Sequence, residues 1–96
     1  MKEYRIFWSP LAEETYLKTL SRILERWTVK EAEDFDAKVE SLIEKLKTHK
    51  RLCPPSDKQK NLRRCVIAPQ TSLVYQINDN IIELIAFFDN RSEHQF

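Results

Sequence analysis

Between residues 62 and 88 the chain holds three apolar runs, 62–68, 71–77 and 81–88, rich in Val, Ile, Leu, Tyr and Phe and parted by short polar breaks. These residue types suit a pleated, half-buried surface, so the pattern predicts an antiparallel meander of three strands. Asn78-Asp79-Asn80 separates the last two runs, and Asn and Asp tolerate positive φ well enough to turn a hairpin in a chain that has no Gly. Arginines bracket the region, with Arg63 and Arg64 opening it and Arg91 closing it.

Strand side chains alternate between faces, which assigns the residues of the meander. Ile82, Leu84, Ala86 and Phe88 form an apolar set expected to face inward, with Glu83, Phe87, Asp89 and Arg91 on the other side. Leu73, Tyr75 and Ile77 are likewise expected inside, and Ser72, Val74 and Gln76 outside. In the first run both parities mix charge with apolar residues, so one of Arg63 and Arg64 is expected to share a face with Arg91.

The upstream half reads as cover for this sheet. Residues 4–8 alternate and are β-prone, and Ser9-Pro10 then supplies an N-cap and a proline at the first helical position, where its missing N–H costs nothing. Ala12, Tyr16, Leu20, Ile23, Leu24 and Trp27 recur at helical spacing and predict one buried stripe. Thr28 and Glu31 make a capping-box pattern that starts a second helix at once, with Ala32, Phe35, Val39, Leu42, Ile43 and Leu46 as its apolar face. So short a break predicts an antiparallel helical hairpin. Pro54-Pro55 lies in a Lys-rich loop over 48–61. The expected fold is α+β in the order β-α-α-β-β-β, a small antiparallel sheet with a helical hairpin on one face and the other face open.

At 96 residues the chain has room for one core, hence a single domain over 1–96. Met1-Lys2-Glu3-Tyr4 does not begin a secretory leader, and no stretch has the length of a membrane span, so a cytoplasmic protein without membrane contact is expected. Cys53 and Cys65 have neither the spacing of a metal knuckle nor the number for a disulfide framework, and reduced thiols are expected. The lack of Gly removes P-loops and dinucleotide-binding turns, whose backbone must approach phosphate closely. No cofactor and no metal is expected.

The net charge of +1 hides an asymmetry. Residues 1–44 carry 7 Lys/Arg against 10 Asp/Glu, residues 45–64 carry 8 against Asp57 alone, and residues 65–96 carry Arg91 against Asp79, Glu83, Asp89 and Glu93. A basic belt of this density suits an anionic partner, either nucleic acid or an acidic protein segment.

Trp8-Ser9-Pro10 followed by Ala12 and Tyr16, Leu62-Arg63-Arg64 leading to Leu73-Val74-Tyr75-Gln76-Ile77, and Phe87-Phe88-Asp89-Asn90-Arg91 together resemble the RelE/ParE superfamily of toxins from type II toxin–antitoxin pairs. The resemblance covers nearly the whole chain. It implies a protein that arrests growth when free and is neutralised in a hetero-oligomer with a cognate antitoxin. It leaves the target open, because RelE-like members cleave messenger RNA on the ribosome whereas ParE-like members poison DNA gyrase. A non-toxic interaction module with the same fold is a further alternative.

Metal-independent RNA cleavage requires a base, an acid and cations around the phosphate. Lys58, Lys60, Arg63, Arg64 and Arg91 are the candidate anion-binding residues, and arginine can hold phosphate in bidentate fashion. If the protein is an endoribonuclease, Arg64, Arg91 and His94 are its candidate catalytic residues, His94 having the one ordinary pKa near neutrality in the C-terminal stretch. Thr71-Ser72 and Phe96 depart from the Tyr-Arg pair and the terminal Tyr that many ribonuclease members carry. His49 is read as a cation at a helix end. The incomplete proton-transfer set makes ParE-like binding the first expectation and RelE-like cleavage the second.

Overall fold

The computed structural model describes residues 3–92 and 96. Six elements follow in the expected order: β1 (Arg5–Trp8), α1 (Pro10–Arg26), α2 (Val29–Thr48), β2 (Arg63–Ala68), β3 (Thr71–Asn78) and β4 (Ile81–Asp89). The meander β2-β3-β4 is antiparallel, and Asp79 turns its last hairpin at φ 53°. β1 adds to β4 in parallel, giving a four-stranded mixed sheet in the order β1-β4-β3-β2 where a wholly antiparallel one was expected.

Both helix starts form as their sequences dictate. Ser9 Oγ accepts from the Ala12 N–H at 3.0 Å, and the Thr28 N–H donates to Glu31 Oε2 at 3.0 Å. The helices pack on one side of the sheet around Phe35, Val39, Leu46, Leu73, Tyr75 and Leu84. Tyr16 bridges them by donating its hydroxyl hydrogen to Asp36. The stripe of α1 is buried only as far as Ile23. Leu24 and Trp27 are 50% and 63% exposed.

The parity expected for β4 fails at one residue. Val74 pairs with Ala86 and Tyr75 with Leu84, so Ile85 is an extra residue, a bulge that reverses every face after it. Phe87, not Phe88, therefore enters the core, where it packs against Trp8 and Tyr16 with centroids at 5.7 and 5.3 Å. Phe88 turns to the opposite face, under Arg64. The bulge sits where β1 has ended and α1 has begun, so the backbone of β4 meets helix side chains in place of a strand. Ser9 Oγ donates to the Ile85 carbonyl at 3.0 Å, and the Phe87 N–H donates to Thr15 Oγ1 at 2.9 Å. These hydroxyls satisfy backbone groups that burial would otherwise make costly.

The cysteines also depart from expectation, since Cys53 and Cys65 form a disulfide. After Pro54-Pro55 the loop turns back along β2, with the Arg64 N–H donating to the Pro54 carbonyl and Pro55 bridging Arg63. That brings the two Cα atoms to 5.3 Å, within the range a disulfide spans. The buried Tyr75 ties down the same loop by donating to the Lys50 carbonyl at 2.7 Å.

Candidate functional site

The register settles which arginine of β2 faces which way. Cys65 enters the core and Arg63 shares its side, donating from Nη1 to the Cys53 carbonyl at 2.6 Å. Arg64 projects from the face away from the helices. Its Nε donates to Ser72 Oγ at 3.2 Å, its Nη2 donates to Asn90 Oδ1 at 2.8 Å, and its guanidinium carbon lies 5.2 Å from the Phe88 centroid. Ser72 donates in turn to Asn90 Oδ1 at 2.5 Å. The network fixes the guanidinium against Ser72, Asn90 and the Phe88 ring. It also explains why Ser72, expected to point outward, is fully buried.

That second face is less open than the sequence suggests. Val74 and Ala86 are buried there, and Phe96 packs on Phe88 with centroids 5.8 Å apart while its carbonyl accepts from the Ser56 hydroxyl. Phe96 thus sits beside Arg64, and a phenyl ring moves no proton.

Arg91 is elsewhere. With the parity reversed after Ile85, Asp89 lies on the helix side opposite Thr71, and Arg91 folds back on it through Nε at 3.2 Å and Nη2 at 3.1 Å. These bonds hold the Asp89 carboxyl below its ordinary range and keep the exposed Arg91 more firmly protonated. Arg91 lines a cleft with Arg22 and Arg26 of α1, of which Arg26 is placed by sequence as the cation at the helix C-terminal end. Arg64 and Arg91 thus lie on opposite sides of the sheet, and Arg63 is the one that shares the helix side with Arg91.

Lys58 and Lys60 are exposed on the loop before β2, with the Lys58 N–H donating to Ser56 Oγ at 3.3 Å. His49 is the C-cap of α2, as its sequence position implies. His94 lies outside the described residues. Among the described residues, no group of three His, Cys, Asp or Glu side chains could hold a metal ion. No helix of the described residues is long and apolar enough to cross a membrane.

Solved structures define the class of fold. The chain is similar to a chromosomal ParDE toxin–antitoxin system from P. aeruginosa (TM-score 0.75, 8% identity, 91% of this chain and 96% of that one). It is also similar to a copper-bound mutant toxin from Helicobacter pylori (TM-score 0.69, 20% identity, 91% and 94%) and to the toxin–antitoxin complex RelBE2 from Mycobacterium tuberculosis (TM-score 0.64, 18% identity, 96% and 97%). Two helices on a four-stranded mixed sheet are the RelE/ParE toxin fold. The family follows from sequence: residues 6–94 match the model of the ParE toxin of type II toxin–antitoxin systems, parDE, and the chain belongs to that family. No curated protein matches it.

Proposed function

We propose that this protein arrests growth by binding and inhibiting DNA gyrase, and that a cognate antitoxin neutralises it by forming a hetero-oligomer. Membership of the ParE family supports a toxin of this kind. The observation that carries binding over cleavage is the separation of the arginines. Arg64 is held by Ser72 and Asn90 on one face, and Arg91 by Asp89 on the other. Cleavage of RNA by cation stabilisation needs its charges converged on one phosphate, whereas a protein target can be gripped on both faces at once. Toxin–antitoxin complexes among the structural relatives support a protein antitoxin as partner.

The test is a supercoiling assay on purified gyrase beside primer extension on translated messages. Inhibited supercoiling with intact messages is the expected result. Unaltered supercoiling together with new cuts in the ribosomal A site would overturn the proposal in favour of a ribosome-dependent endoribonuclease.

A further inference from the structure

Two cavities meet between the C-terminal end of α1 and the start of β3. One, of about 190 Å³, is the cleft lined by Arg22, Arg26, Arg91 and Asp89. The other, of about 420 Å³, is a trench lined by Trp27, Phe35 and Pro69 together with the charged Glu31, Asp34 and Lys38. Ile23, Trp27, Gln70 and Thr71 line both, so they form one continuous surface.

Among the described residues the cleft sets three arginines against one carboxylate, Asp89, whose charge Arg22 also feels. Asp89 engages Arg91, while among the described residues neither Arg22 nor Arg26 makes an ion pair. Arg26 lies in the last turn of α1, where the helix dipole favours a cation. Arg22 lies a turn earlier, and like charges one turn apart destabilise a helix slightly. Beside this charge the chain exposes Leu24, Trp27 and Val29, all at the α1–α2 corner.

We propose that this corner is the docking site for an acidic, amphipathic segment of the antitoxin. A carboxylate of that segment seats among Arg22, Arg26 and Arg91, and an apolar side chain beside it packs on Trp27 and Pro69. Charge complementarity selects the acid, and the adjoining apolar wall of Trp27, Phe35 and Pro69 selects a peptide side chain over a sugar-phosphate backbone. The inference rests on the toxin reading above and adds the place and chemistry of neutralisation. It also separates that contact from Arg64, on the far face.

The probe is the protein encoded by the reading frame adjoining this chain's own, titrated calorimetrically into the purified toxin. Arg22→Glu combined with Arg26→Glu is expected to weaken binding at least tenfold, Trp27→Ala about tenfold, and Arg64→Ala less than about threefold, since desolvated charge pairs and aromatic anchors dominate interfaces. In the unaltered toxin the Trp27 indole N–H resonance should shift on binding, a readout that stands even if the charge-reversed protein misfolds. Undiminished binding by Trp27→Ala with an unmoved resonance overturns the docking site and leaves the toxin reading intact. No complex with the unaltered toxin overturns the antitoxin reading and this inference with it. Arginine-dependent binding of a single-stranded RNA oligonucleotide, with the protein partner's affinity unchanged in the arginine variants, assigns the cleft to nucleic acid and overturns the inference.

Discussion

Tyr16 joins the two helices through a single oxygen, and that oxygen titrates. Burial, then the hydrogen bond to Asp36 and the nearby charges of Asp36 and Glu40, push its phenol well above the ordinary tyrosine range. A raised folded-state pKa means that the stabilisation is fully present below the unfolded value, about 10, and is lost as pH rises through the folded one. Tyr16→Phe should therefore lower stability at pH 7 by about 1 kcal/mol, the order expected for a half-buried bond to a carboxylate. The gap between the two proteins should narrow above pH 10, since only the unaltered protein gives up a proton at this position on unfolding. Tyr75, whose phenol is also raised by burial, titrates in both and cancels. Urea denaturation at pH 7 and pH 11 is the check, and a gap constant across that range would refute the assignment.

Among the elements, the segment from Cys53 to β2 owes its shape to one covalent link and several hydrogen bonds. With a sequence separation of 12, the disulfide restricts the unfolded chain by about 3 kcal/mol on loop-closure arguments. Cys65→Ser, or reduction of the unaltered protein, should lower unfolding free energy by about that amount in urea, and the two treatments together should do no more than either alone. This link was not legible in the sequence, because only the folded loop shows that Pro54-Pro55 turns the chain back along β2. Local signals were legible: Ser9 and Thr28 cap their helices as read, since a cap depends on residues three apart. The faces of β3 were legible through Leu73 and Tyr75. The faces of β4 were legible only as far as Leu84, because the bulge at Ile85 answers to the end of β1 and the hydroxyls of Ser9 and Thr15, which no period of two can reveal. That one residue also moved Arg91 to the helix side. The sequence thus supplied the arginines but not their separation, and the charge of Arg22 and Arg26 gained meaning only once Arg91 arrived beside them.

For the whole molecule, the sheet is a partition with Arg64 on one side and Arg91 on the other. The loop before β2 carries Lys58 and Lys60 toward one edge, and α1 carries Arg22 and Arg26 toward the other side. Residues without shared partners contribute independently, whereas two that grip the same group do not. Among the described residues Arg64 and Arg91 have no side-chain partner in common, Arg64 using Ser72 and Asn90 and Arg91 using Asp89. On the gyrase reading proposed above, Arg64→Ala and Arg91→Ala should each raise the inhibitory concentration in a supercoiling assay severalfold. The double variant should then show the product of the single effects to within about twofold, the usual scatter of additivity between separate sites. A double variant no worse than the poorer single one would mean that both guanidinium groups close on one anion in the bound state. The two faces would then have to be brought to a common ligand by a rearrangement around Asn90, the residue that holds Arg64 and directly precedes Arg91 in the chain.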